Sequence, residues 1–172
     1  MGYWAAKPPM PRNQKVLNPY AQFLNGQDPM AVIQATSGRL RTLAKAIGIE
    51  KINLAPAPRK WSAREILCHL ADCEIAFGFR LRQTLSETHH KIQPFDQDKW
   101  AAPYKLISAD DALATFAALR RWNVLLIDAS LPTNAAKPVT HPERGKMTFA
   151  TIVETMAGHD LNHIAQLERL AV

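Results

Sequence analysis

Apolar side chains recur with helical spacing in four separate stretches of this chain, and each stretch opens on a residue suited to capping a helix. The first follows Asp28-Pro29, a cap with proline at the first helical position, and carries Ile33, Leu40, Ala44 and Ile47 up to Gly48. The second follows the capping box Ser62-Ala63-Arg64-Glu65, with Trp61 placed to staple onto Ile66. Its stripe of Ile66, Leu70, Phe77, Leu81 and Leu85 predicts a helix to about Ser86. Ser108, with Asp111 three residues on, opens the third, which carries Leu113, Ala117, Val124 and Ile127 and is expected to end before Pro132. Thr148 opens the fourth, with Met147 placed to staple onto Ile152, and this helix runs almost to the C-terminus. No convincing period-2 alternation lies between the four, so no strand is expected.

Four long amphipathic helices predict an all-α protein, a four-helix bundle over residues 28–172. The connection from about 87 to 107 is long. Its span could reach roughly 70 Å, enough to recross a helix of about 37 Å, so helices two and three are free to run parallel. Long loops in compact domains tend to carry function, and this one holds His89, His90, Phe95, Asp96, Asp98, Trp100 and Tyr104. Residues 1–27 contain four of the twelve prolines and read as an irregular basic lead, either strapped along the body or partly disordered.

A length of 172 residues, 47% of them apolar, fits one domain with a sizeable core and excludes collagen, extended disorder and a disulfide-stapled miniprotein. Cys68 and Cys73 lie five apart in a helical stretch, about 140° from each other, and cannot pair locally; a reducing, cytoplasmic setting is expected. The first residues show no apolar targeting core, no run of 18 apolar residues occurs, and Ala6 breaks the myristoylation pattern after Gly2. A soluble protein without a membrane anchor is expected. The formal charge is +6, but it is unevenly placed: the first 60 residues hold nine basic side chains against Asp28 and Glu50, and the remainder holds twelve basic against thirteen acidic. No recognition helix, zinc-finger spacing or phosphate loop accompanies the excess, so a solvated basic surface is expected rather than a nucleic-acid partner.

Position matters more for the six histidines. In the fourth helix the steps that join Ile152 and Met156 to Leu167 and Leu170 pass through His159 and His163, an i, i+4 pair on one face with Cβ atoms roughly 5–6 Å apart. In the second helix His69 and Cys73 fall on the apolar side, again four apart. Burying imidazoles without partners costs about 1–3 kcal/mol each, whereas a shared metal satisfies them; the alternative is packed, hydrogen-bonded core histidines. Three imidazoles with an open position describe a catalytic zinc-type site contributed by facing helices. Cys73 reads as a small buried hydrophobe rather than a ligand or nucleophile. Asp72 and Asp160 are either partners for imidazole N–H groups or polar helix flank. Arg120 either presents an anion-binding group near the cavity or snorkels from the edge of its stripe. His89, His90 and His141 lie in expected loops and are expected to be solvated. His159-Asp160-Leu161-Asn162-His163 resembles the zincin pattern, but the shorter Asp in place of Glu argues against a peptidase base.

On WSAREILCHLADCE, FDQDKW, the Arg120 region and GHDLNHIAQLERL, the chain is similar to the DinB-like superfamily over about residues 28–170. The resemblance implies an up-down-down-up bundle, a zinc or nickel ion on His69, His159 and His163, and a homodimer. Relatives include bacillithiol S-transferases and mycothiol-dependent maleylpyruvate isomerases, so the implied function is metal-dependent transfer of a low-molecular-weight thiol to a small-molecule substrate, or hydrolysis, with Arg120, Asp96 and Trp100 shaping the entrance. The alternative is a non-catalytic metal-binding stress-response protein whose basic N-terminal portion meets an anionic partner.

Overall fold

The computed structural model describes residues 18–172. After a short helix, α1 (Ala21–Leu24), come the four bundle helices with smaller elements between them. The order is α2 (Pro29–Lys51), α3 (Ala63–Ser86), strand β1 (His90–Lys91), the short helix α4 (Gln97–Trp100), a 3₁₀ turn at Tyr104–Leu106, α5 (Ala109–Asn134), strands β2 (Pro138–His141) and β3 (Gly145–Thr148), and α6 (Phe149–Leu170).

All four expected caps form. The Asp28 carboxylate accepts from the Met30 amide, Ser62 and Glu65 close the capping box, and the hydroxyls of Ser108 and Thr148 accept from the Asp111 and Thr151 amides. Each satisfies backbone donors that a helix start leaves open, an effect of about 1 kcal/mol apiece. Two expected ends move. Gly48 does not terminate α2 but kinks it: its φ of 77° is a left-handed value that glycine adopts without a steric penalty, and helical bonding resumes to Lys51. α5 continues through Pro132 to Asn134, because a proline in the last turn removes one hydrogen bond while the Asn134 side-chain Nδ2 donates to the Ser130 carbonyl and holds the turn closed.

Strands, which the alternation pattern did not predict, form a three-stranded sheet in the order β1-β2-β3. β1 pairs parallel with β2 (His90 opposite Val139), and β2 pairs antiparallel with β3 (Val139 opposite Met147) around a turn closed by Gly145 at φ 87°. Strands of two to four residues are too short to show a period. The sheet ties the connection after α3 to the hairpin before α6, and it takes His90 and His141 out of solvent; both are buried, contrary to the expectation for loop histidines. His90 meets Glu87 through Nδ1 at 3.0 Å, while His89 stays exposed against Thr140.

Around the bundle, α3 packs on α5 and α6, and α2 packs on α6 and α5. Contacts between elements advance together along the chains: Glu74 meets Arg120, and Leu85 meets Lys137 just beyond the end of α5, on one side, while Thr36 meets Asp160 and Arg39 meets Glu168 on the other. The core divides into two apolar clusters, one around Ile33, Phe77, Leu81, Ile127 and Met156, the other around Leu40, Leu67, Phe116 and Ile164. Between them lies a buried polar layer to which every bundle helix contributes. Arg120 donates to both Asp160 oxygens at 2.6 and 3.0 Å, to Glu74 at 2.7 Å and to the Ile33 carbonyl, Thr36 donates to Asp160, and Asn123 donates to Glu74. Paired charges of this kind specify which helices face each other, since removing one partner strands the rest in the core.

Candidate metal centre

Helical spacing places His69 and Cys73 on one face of α3, and His159 and His163 on one face of α6, just above the polar layer. Packing of α3 on α6 brings the two faces together. One nitrogen from each of His69, His159 and His163 lies within 4.8 Å of the other two, and all three rings are buried. His69 Nε2 and His159 Nε2 face each other at 3.1 Å. Two ring nitrogens at that separation share either one proton or one cation. The Cys73 thiol stands 3.5 Å from His69 Nε2 and 3.8 Å from His159 Nε2.

Burial keeps this cluster uncharged. It lowers His69 to about 3 and His163 to about 4, and holds His159 well below its ordinary 6.5, with the neighbouring rings adding to the effect on His69 and His159. A neutral imidazole is the form that offers a lone pair to a metal. Burial also pushes the Cys73 thiol up, so it stays protonated as an apolar neighbour. The aromatic wall is close: Trp61 stacks obliquely on His69 at 4.9 Å between ring centres, and Tyr20 meets His159 edge-on at 5.1 Å.

The residues fit a divalent cation. Among the described residues His159 Nδ1 and His163 Nδ1 are buried with no hydrogen-bond partner, and no carboxylate joins the three neutral imidazoles of the cluster, a donor set that a divalent cation satisfies. Tetrahedral zinc with Zn–N bonds of about 2.0–2.1 Å spaces its nitrogens roughly 3.3 Å apart, a value inside the range this cluster spans. Three imidazoles suit zinc, nickel, copper or iron.

Two cavities open on the cluster. One of about 780 Å³ is lined by Trp61, His69, Asn162, His163 and Gln166; the other, of about 200 Å³, is lined by His69, Cys73, Phe77, Arg80, Arg144 and His159. His69, Tyr20 and Gln97 border both.

With this site described, the comparison with known proteins is decisive for the family. The model of the DinB superfamily matches residues 33–167, a span that contains all three histidines. The chain belongs to the DinB superfamily. Relatives within reach of sequence comparison include a protein of Oceanobacillus iheyensis, 31% identical over 112 residues, and one of Bacillus cereus, 29% identical over 112 residues. Both carry the provisional name metal-dependent hydrolase, and in both pairings the match covers 64% of this chain and 64% of the relative, just under two thirds of its length. Among solved structures, YfiT from Bacillus subtilis superposes with a TM-score of 0.74 at 19% identity, covering 96% of this chain and 91% of that one; it is described as having an unusual four-helix bundle topology. That likeness shows the fold.

For this DinB superfamily member the other expected site residues find different places. Asp72 accepts a hydrogen bond from the Tyr104 hydroxyl at 2.7 Å, and Asp160 is held by Arg120 and Thr36; neither serves an imidazole N–H. Arg120 neither reaches a cavity nor snorkels to an edge: it is fully buried, clamped by two carboxylates that pull it inward and set over the Phe116 ring. Asp96 caps α4 by accepting from the Asp98 and Lys99 amides, and Trp100 stacks on Phe95; the segment reaches the cavities through Gln97 and Asp98 instead. Sequence reasoning missed Tyr20, Trp61, Arg80 and Arg144. For Tyr20 a signal existed. Gly158 sits inside α6, where glycine costs about 1 kcal/mol against alanine, and a Cβ there would stand 2.5 Å from the Tyr20 carbonyl oxygen. The glycine makes room for the chain that closes over His159. The reading of residues 1–17 as part of the lead lies outside the described residues.

Proposed function

We propose that the protein is a metal-dependent enzyme acting on small molecules, with His69, His159 and His163 holding one divalent ion, zinc or nickel. The observation that carries this reading is the convergence of three buried, uncharged imidazoles within 4.8 Å at the floor of two cavities. Three protein ligands with a position left to a small molecule is the donor set of a catalytic centre. When bound, such an ion lowers the pKa of a thiol or water and makes a nucleophile available near neutral pH.

The chain's own side chains narrow the chemistry. Trp61 and Tyr20 pack against His69 and His159 and help bury the rings, and burial strengthens electrostatic interactions at the cluster. Asp160, next in sequence to His159, and Asp72, three residues after His69, are engaged by Arg120 and Tyr104 and are not placed to take a proton from a nucleophile. Transfer of a low-molecular-weight thiol to an electrophile needs no carboxylate base, which supports thiol S-transfer, with hydrolysis at the same centre as the second form. Both cysteines are free and buried, in keeping with a reducing, cytoplasmic setting, and no helix among the described residues is long and apolar enough to cross a membrane.

The test is elemental analysis of untagged protein, paired with a conjugation assay using a small thiol and a fluorogenic alkyl halide. One metal per chain is expected, together with turnover that is lost in His69→Ala while the helical circular dichroism is kept. Metal that stays substoichiometric after zinc and nickel supplementation, or that survives in His163→Ala, would overturn the site. Ester hydrolysis without conjugation would select the second form, and a fully loaded protein inactive in both assays would favour a non-catalytic metal-binding protein.

A further inference from the structure

Arginines taken out of water are normally neutralised, and Arg120 shows how this fold does it, with one carboxylate from α6 and one from α3. The smaller cavity contains two arginines treated differently. Arg80 lies on α3, seven residues after Cys73 and eleven after His69, two and three helical turns, so it points the same way as they do. Its guanidinium sits 5.7 Å from the ring centres of both Phe77 and Phe95, an arrangement that holds the planar group against apolar faces and leaves its N–H donors for another partner. Arg144 enters from the turn between β2 and β3, carried there by the hairpin.

Among the described residues neither guanidinium is in an ion pair; Arg144 feels the Tyr20 hydroxyl and, more weakly, the carboxylate of its exposed neighbour Glu143, which borders the same cavity without pairing with either arginine. Burial lowers both arginines from their ordinary value, and the charge of Arg144 lowers Arg80 further. Two like charges thus converge on one half-closed space, beside the uncharged rings of His69 and His159 and against the single carboxylate of Glu143 in its lining. An anion placed between them relieves the desolvation of both and their mutual repulsion.

Size limits what that anion is. At about 200 Å³ the cavity is smaller than the roughly 300–1,000 Å³ that holds a whole ligand, while its neighbour of about 780 Å³ falls within that range. The small cavity suits one charged end of a molecule. We infer that Arg80 and Arg144 form a carboxylate subsite, which fixes the acid group of a small-molecule substrate so that the rest of it reaches His69 and His159. Guanidinium forks match carboxylates bidentately, and orientation of this kind is where a site gains rate without adding a base. The placement of the reacting end rests on the proposed metal-dependent chemistry; the carboxylate subsite itself is measurable without metal.

Malonate and its neutral analogue malonamide are the probes, titrated by calorimetry into chelator-treated and zinc-loaded full-length protein at fixed ionic strength. Saturable malonate binding is expected in the metal-free protein, weakened at least tenfold in Arg80→Met and in Arg144→Gln, and changed less than twofold in Arg59→Gln at the rim of the larger cavity, with zinc stoichiometry unaltered in all three. Arg144→Gln lies on a turn and carries the test if Arg80→Met proves unfolded by circular dichroism. Absence of saturable malonate binding, equal binding of malonamide, or an equal loss in Arg59→Gln would overturn the subsite. Failure of the metal reading alone leaves malonate binding intact while zinc fails to bind.

Discussion

Acidifying the metal-free protein should destabilise it through its three central histidines, and the size of the effect follows from their burial. At pH 5.5 all three rings remain neutral in the folded state, since burial holds His69 at about 3 and His163 at about 4 and keeps His159 well below 6.5. In the unfolded chain each returns to an ordinary value of about 6.5. Below that pH the unfolded state binds more protons than the folded one, so stability falls as pH falls, and the loss continues until the folded rings themselves protonate near pH 4 and 3. Between pH 8 and 5.5 the protonation of one unfolded histidine is worth about 1.4 kcal/mol, so the three together remove about 4 kcal/mol from a total stability that for a domain is about 5–15 kcal/mol. Urea denaturation in the presence of a chelator, followed by far-ultraviolet circular dichroism at several pH values, measures this. The decisive comparison is with His163→Leu, because the difference between the two curves cancels the other titrating groups. The variant should lose about 1.4 kcal/mol less than the parent over that interval. Parallel curves from pH 8 to 5.5 would refute the claim that the cluster is held uncharged by burial.

Three further outcomes are expected. Zinc at a hundredfold excess over its Kd should stabilise the protein by about 2.7 kcal/mol, reversibly with chelator, and should leave His69→Ala unchanged in the same melt. Arg120→Met strands the Asp160 and Glu74 carboxylates in the core and should cost about 3–5 kcal/mol in urea unfolding; a loss under about 1 kcal/mol would mean that the polar layer is open to water. Gly158→Ala drives a methyl group against the Tyr20 carbonyl, so amide exchange at Phe23 and Gln27 should accelerate; a simple gain of about 1 kcal/mol, the helix-propensity value, would show that the strap is not seated on α6.

Much of this was readable from short-range pattern. Ser62 and Glu65, or Thr148 and Thr151, interact within one helical turn, so the caps that begin α2, α3, α5 and α6 depend only on neighbouring residues. The same holds for His69 with Cys73 and for His159 with His163, whose i, i+4 spacing alone puts them on apolar seams and marks them as out of place among Ile152, Met156 and Leu167. Even the pairing of seams was foreshadowed, since polar rings on two inward faces have few ways of being satisfied other than by each other or by a shared ion.

Only the assembled bundle decided the rest, because a position on a helix gives a direction and not the neighbour found there. Arg120 read equally well as a rim cation or a cavity ligand until Glu74 and Asp160, 46 and 40 residues away, turned out to flank it. Asp160 sits between two histidines in sequence, yet the helix turns it toward Arg120 and away from the rings it was expected to serve. The sheet that buries His90 and His141 pairs residues about fifty apart through strands of two to four residues, which leave no periodic trace. Arg80 and Arg144 meet at one cavity only because that sheet carries the hairpin beside α3. Local chemistry selected the helices and their histidines. Long-range packing chose what those histidines face: an aromatic wall, a closed layer of charge beneath, and two arginines that form no ion pair among the described residues.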